Sequence, residues 1–437
     1  MKDRKISYFL LVLSSLLCLH GVTTAQAPSA DGFDNNAEKL RAETFLRVWS
    51  TVNEKHYDPA FGGVDWADVR KRYEPKALAA KTDEELYSIL RQMLGELKLS
   101  HFSIFRESGD SGGSNGSGDP GIELKMIGNK AVVFRYHDNE DLKDPLKPGM
   151  ILESIDGERI TGLLKPLEES LAERQLTEAS KRLYRERFLE ERMRGPLGSK
   201  VSLSFSDGNG HSISDEFSRR KFAGELSQRL GNFPPQPVVF ESKMLDGNIG
   251  YFRFNMWVVP QMPKIREALK EFAGAEGIII DLRGNPGGLG AMANGLAGLM
   301  ITDQASLGSM PSRSGKMEFI AYPQTDPFLG PVVIIVDHGS GSTSEVFAAG
   351  MQETGRAVVV GDTTAGAVLP SVFEKLPTGA TFQYAVSDYR SPRSVLIEGR
   401  GVLPDTKVLL DREMLLDGKD SQLEKALEII KRMEKNN

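Results

Sequence analysis

Residues 331–350 read PVVIIVDHGSGSTSEVFAAG. The run from Val332 to Val336 has no alternation of polar and apolar positions, so a strand built from it must be buried on both faces. A helix-like run follows from about Thr343. The same alternation recurs around it: IGYFRF (249–254) as strand, a helix near 262–273, GIIIDL (277–282) as strand, a helix near 289–300, the 332–336 strand, a helix near 343–353, and AVVV (357–360) as strand. Apolar strands interleaved with helices predict a largely parallel sheet with crossover helices. A final amphipathic helix is marked by Leu423, Leu427, Ile430 and Met433. In such sheets reactive groups collect where strands end and helix N-termini begin. Ser340, Ser342 and Ser344 fall in that corner, where one hydroxyl can face a cleft while the next N–H stabilises an oxyanion. Serines also cap helices, and Ser342 or Thr343 is suited to that task alone.

The chain has 437 residues, 40% hydrophobic and 26% charged, the composition of a soluble globular protein with room for two or three domains. Its start departs from this. Lys2, Arg4 and Lys5 precede the apolar stretch ISYFLLVLSSLLCLHGV, and small residues at Ala25 and Ala27 follow, which reads as a secretory signal peptide over 1–27. A retained membrane anchor and a lipoprotein centred on Cys18 are the competing readings; the stretch is short for a span, and Leu17 is bulky for lipidation. Cleavage implies an extracytoplasmic protein, periplasmic or secreted, without stable membrane insertion. Cys18 is the only cysteine, so the mature chain has no cysteine nucleophile, disulfide or Cys-ligated zinc. The net charge of −6 and the absence of a long basic run argue against a nucleic-acid partner.

Residues 28–105 read as a helical subdomain. In TDEELYSILRQMLGELKL, Thr82 and Glu85 form a capping box, and Leu86, Leu90, Met93, Leu94 and Leu97 form a packing face. RESGDSGGSNGSGDPG is too rich in glycine and serine to bury apolar area and marks a linker over 106–118. Beyond it come short strands on either side of Gly128-Asn129, the segment PGMILESIDGERI, a charged helical segment over about 163–193, and a hairpin turning at Gly208-Asn209-Gly210. This region, 119–219, resembles a PDZ domain, a module that adds a peptide strand to a sheet edge. Residues 220–437 form the α/β core.

GDSGG (109–113) imitates the nucleophile motif of chymotrypsin-like proteases, but Ser111 lies in a low-complexity linker that cannot hold it rigid. DLRGNPGG lacks the G-K-[ST] of a phosphate loop, and no cofactor or metal is expected. A serine nucleophile needs a base. His20 leaves with the signal; His56, His137 and His211 read as solvated or capping; His338 sits on the same tight loop as Ser342. His101, beside Ser100 where a helix ends and the chain turns extended, is a plausible base.

IIIDLRGNPGG followed by PVVIIVDHGSGSTSEVFAAGMQETGRAVVVGDTTAG resembles the core of the C-terminal processing, or tail-specific, serine peptidases, a family that includes tricorn protease and the interphotoreceptor retinoid-binding proteins. The resemblance covers about residues 37–410. It implies an α+β and α/β multidomain fold: an N-terminal helical subdomain, a PDZ-like β-rich domain and a ClpP/crotonase-like α/β core. It implies Ser342 as nucleophile, with Gly288 and the Thr343 N–H as oxyanion hole. Family members with a Ser-Lys dyad carry the lysine in a GKG turn, where this sequence has AGAV and Ala367. A methyl group accepts no proton. The tricorn-like branch instead uses an upstream Ser-His pair and a downstream glutamate, and this sequence offers Ser100-His101 and Glu398 in EGRGVLPD. The implied activity is that of a secreted serine endopeptidase acting on peptide or protein substrates. A non-catalytic binding protein on the same scaffold and a membrane-tethered PDZ scaffold are the alternatives. Adjacent residues on a straight strand face opposite ways, so the chain is expected to bend at Ser100-His101.

Overall fold

Strands Phe240–Leu245, Ile249–Phe254, Gly277–Asp281, Val332–Val336, Val358–Gly361 and Thr406–Lys407 lie side by side in that order, the first pair antiparallel and the rest parallel. The computed structural model describes residues 30–106, 117–136, 146–172, 176–221, 224–229, 231–232 and 235–435. The expected signal segment, Ser111 and His137 lie outside the described residues. Successive strand residues face opposite sides of the sheet, and both sides are covered. Ile278, Ile280, Ile334 and Val336 pack into one core with Ile265, Leu296 and Phe347 from the helices Gln261–Glu271, Ala291–Gly298 and Thr343–Glu353. Ile279, Val333 and Ile335 pack on the other side against Ala426, Ile429 and Ile430 of the helix Ser421–Glu434. That double cover is why the apolar runs lack period-two polarity. Asp281 lies beside Ile335, and Val336 beside Gly361, so the loops after these three strands leave from one edge of the sheet.

The N-terminal region folds as helices Ala30–Lys55, Trp66–Leu78 and Asp83–Gly95. Thr82 caps the third through the Glu85 N–H (3.2 Å), while the Glu85 carboxylate takes the Lys81 N–H (2.7 Å), one residue earlier than a capping box would have it. Leu86, Leu90, Met93 and Leu94 bury against Phe45, Val52, Trp66 and Phe382. Phe382 belongs to another part of the chain: strand Ser103–Phe105 pairs antiparallel with Thr381–Ala385, which pairs in turn with Ser371–Lys375. This sheet stitches the N-terminal segment to the C-terminal half. Neither this sheet nor the hairpin Ala305–Ser312 with Gly315–Ala321 was expected from the sequence.

Between these parts, strands Ile122–Ile127, Lys130–Tyr136, Ile151–Ile155, Lys200–Ser206 and Ser212–Ser218 form a second antiparallel sheet. The single helical segment expected near 163–193 is two helices, Ile160–Ala172 and Glu178–Met193. The second starts where the Thr177 hydroxyl takes the Ser180 N–H (3.0 Å), a cap that defines a new N-terminus. No helix among the described residues is long and apolar enough to cross a membrane.

Candidate active site

The three serines of the 337–344 corner have different surroundings. Ser340 is fully buried, its hydroxyl donating to the Leu282 carbonyl (2.8 Å) and accepting the Asp337 N–H (3.0 Å). Ser344 is fully buried too, donating to the Asn285 carbonyl (3.0 Å) and accepting the Trp257 indole N–H (2.8 Å). Ser342 alone of the three is partly exposed. It precedes the helix Thr343–Glu353 at φ 52°, ψ −116°, a backbone conformation a non-glycine residue adopts only under constraint. Its N–H supplies the constraint, donating to the Ala367 carbonyl (2.8 Å) and to the Glu345 carboxylate (3.0 Å).

Two residues before the strand that joins the two halves of the chain, His101 has φ 59°. This left-handed residue bends the backbone, so Ser100 and His101 meet on one side. The Ser100 hydroxyl lies 2.6 Å from His101 Nδ1 and donates to Glu398 Oε2 (2.9 Å), while the Ser100 N–H donates to Glu398 Oε1 (2.6 Å). A hydroxyl has one proton. Because it goes to Glu398, the Nδ1 of His101 is the protonated ring nitrogen and Nε2 keeps its lone pair. Desolvation disfavours the imidazolium and holds the His101 pKa down, to about 4, so the ring is neutral near pH 7. Burial pushes Glu398 above the usual carboxylate range, opposed by the bonds from Ser100 and from the Val368 N–H (3.0 Å). No hydrogen bond joins His101 to Ser342. The two are connected through residues 367 and 368: Ala367 accepts from Ser342, and Val368 donates to Glu398.

Facing Ser342 is the loop 283–290. Gly287 and Gly288 have φ 102° and 143°, open only to glycine. A Cβ on Gly287 would stand 2.6 Å from Ser342 Cβ and 2.9 Å from the Thr343 nitrogen. Asn285, fully buried, holds this loop: its side chain accepts the Gly287 N–H (3.0 Å) and donates to the Phe254 carbonyl (2.9 Å), and its own carbonyl accepts the Gly341 N–H (3.0 Å). The Thr343 hydroxyl donates to the Gly288 carbonyl (2.9 Å). Among the described residues the N–H groups of Gly288 and Thr343 have no acceptor, so two donors beside Ser342 are unspent.

Residues 248–408 match peptidase family S41, and residues 37–95 match the tricorn protease C1 domain. The chain carries an S41 peptidase domain. The carboxyl-terminal-processing protease of Synechocystis is 26% identical over 97% of this chain and 92% of its own length. That of Picosynechococcus is 27% identical over 84% and 83%. The photosystem II D1 C-terminal processing protease shares the fold with TM-score 0.56 at 21% identity, covering 86% of this chain and 94% of its own. Tricorn protease shares it at TM-score 0.51 and 17% identity, over 91% of this chain and 37% of tricorn. With this domain the chain is a serine-type peptidase, and its mixed α and β multidomain architecture is that of those relatives.

Several polar residues of the S41 domain do more than the sequence suggested. Asp281 and Asp337, at the ends of core strands, are buried ion-pair partners: Asp281 of Arg283 (2.7 Å) and Arg135 (3.0 Å), Asp337 of Lys125 (2.6 Å). Lys125 and Arg135 come from the 119–219 region, so that region docks at the ends of the core strands. His338, in the same corner as Ser342, turns away to Glu186 (2.7 Å). His56 is not solvated; it is 1% exposed and stacks on Tyr57 and Phe102. His211 is exposed in its hairpin turn, as read. The sequence alone marked neither Asn285, Gly287 nor Glu345 as part of this corner. GNPGG signalled a tight turn, but nothing local showed which glycine meets the serine.

Proposed function

We propose that this S41 peptidase is a secreted, extracytoplasmic endopeptidase in which Ser342 is the nucleophile and His101 its base. Ser342 Oγ attacks the scissile carbonyl as His101 Nε2 takes the hydroxyl proton. The carbonyl oxygen, now negative, accepts from the Gly288 and Thr343 N–H groups, each such donor contributing about 3 kcal/mol to the barrier difference. His101 then gives its proton to the leaving amine, and a water activated in the same way releases the acyl group from Ser342. Ser100 and Glu398 act behind the ring. Their hydrogen-bonded relay keeps the proton on Nδ1 and stabilises the imidazolium formed in each half-reaction. The 119–219 region, in this reading a PDZ-like domain, adds a substrate strand to its sheet edge.

The observation that carries the proposal is the relay from Glu398 through Ser100 to His101, anchored at Val368 beside the residue that holds Ser342. It supplies a base in a chain whose AGAV turn has none. A fluorophosphonate probe tests it: labelling of the wild type should vanish in Ser342→Ala and fall by orders of magnitude in His101→Ala, with hydrolysis of a mixed peptide library following the same order. Folded protein that never labels would support the binding-protein alternative, and full labelling of His101→Ala would remove histidine from the mechanism.

A further inference from the structure

Glu345 stands between the nucleophile and the relay without belonging to either. It is fully buried in the first turn of helix Thr343–Glu353. One carboxylate oxygen accepts the N–H of Ser342 (3.0 Å) and of Ala367 (3.0 Å); the other accepts the N–H of Gly366 (2.7 Å) and the hydroxyl of Thr364 (2.5 Å). Among the described residues no cation pairs with it. Burial and the nearby Glu398 push its pKa up to about 7, against the pull of those donors. A buried carboxylate without a counter-charge is expensive, and a helix cap needs only the bond to Ser342. The other three bonds run to residues 364–367, and the next amide, Val368, donates to Glu398. Consecutive N–H groups at 366, 367 and 368 are therefore divided between two acids, one on the nucleophile side and one on the base side.

We infer that Glu345 is a positioning residue, tying Ser342 and the 364–367 segment to one carboxylate and so setting the distance between the nucleophile and the His101 relay. This rests on the roles proposed above for Ser342 and His101. Glu345 acts through backbone groups and touches no reacting atom. Its loss should spoil alignment while leaving substrate binding largely intact, lowering kcat far more than KM.

The full-length protein is assayed on a fluorogenic peptide as wild type, Ser342→Ala, Glu345→Gln, Thr364→Val and Thr364→Ser, with active sites titrated to completion by a fluorophosphonate. The glutamine keeps the volume but offers one acceptor oxygen. It should lower kcat per titrated site at least 10-fold with KM within about twofold. Thr364→Val, which removes one donor, should lower kcat by roughly 3- to 10-fold, and Thr364→Ser, which restores the hydroxyl, should return it to near wild type. Where Glu345→Gln fails to fold, the threonine pair decides. A kcat per site within twofold of wild type in Glu345→Gln and Thr364→Val, or equal losses in Thr364→Val and Thr364→Ser, overturns the inference and leaves the Ser342 assignment standing. Hydrolysis that survives Ser342→Ala overturns both.

Discussion

Ser342 and His101, from opposite ends of the chain, share a backbone trait: φ of 52° and 59°. Left-handed conformations cost a non-glycine residue of order 1 kcal/mol or more; here Ser342 is held by its bonds to Ala367 and Glu345, and His101 through its neighbour Ser100, which is bonded twice to Glu398. The same surroundings that hold the imidazole also desolvate it, which bears on its pH response. Imidazolium cannot accept a proton, so turnover is lost as pH falls through the folded-state pKa. With that value lowered to about 4 from the ordinary 6.5, the His101 ring resonances, followed by NMR, should keep their neutral-form shifts from pH 7 to about 5.5 and titrate only near 4. A ring titration centred at 6.5 would show a solvated imidazole and contradict the description of His101. At this scale the sequence was legible where local chemistry is enough: a hydroxyl ahead of a helix, and a short list of histidines. Glu345 was not legible, because three of its four donors belong to a loop that reaches it only in the folded chain.

Among the elements, loop 283–290 and the N-terminus of helix Thr343–Glu353 come closer than any side chain permits. Gly287→Ala would press a methyl group onto Ser342 and the Thr343 nitrogen at a backbone angle alanine resists. Overpacking and strain together should cost about 2–4 kcal/mol, read as a lower urea midpoint, and should abolish fluorophosphonate labelling in the protein that remains folded. Normal labelling would mean that the two loops have slack. Four of the six strands of the core sheet followed from the sequence, since strands covered on both faces read as unbroken apolar runs, whereas the edge strands Phe240–Leu245 and Thr406–Lys407 carry no such run. The strand Ser103–Phe105 left no comparable mark. Three residues long, it exists because Thr381–Ala385 offers it an edge, and pairing across such a separation has no local pattern. The split of the 163–193 helix had a local cause, the Thr177 cap, which the charged run on either side obscured.

Over the whole molecule, the 119–219 region is fastened to the core by a buried pair. Lys125 and Asp337 are each 3% exposed, and Lys125 holds the Asp337 carboxyl well below its usual range. Asp337 also accepts the Gly284 N–H (2.8 Å) and the Gly339 N–H (2.9 Å), so the pair touches both loops beside Ser342. Lys125→Met strands a buried anion and should cost about 3–5 kcal/mol. Adding Asp337→Asn, which keeps an acceptor for the two amides and removes the charge, should recover part of that loss. Thermal or urea unfolding measures both, and a single variant within 1 kcal/mol of wild type would show the pair to be solvated.

The pairing of Ser103–Phe105 with Thr381–Ala385 also bears on how the protein is made. The register of the segment bearing His101 is fixed only after the ribosome has passed codon 385. On the proposed assignment, a nascent or truncated polypeptide holds a proton acceptor or an attacking alcohol but never the working couple. Topology alone then keeps this hydrolase silent until Thr381–Ala385 has been synthesised.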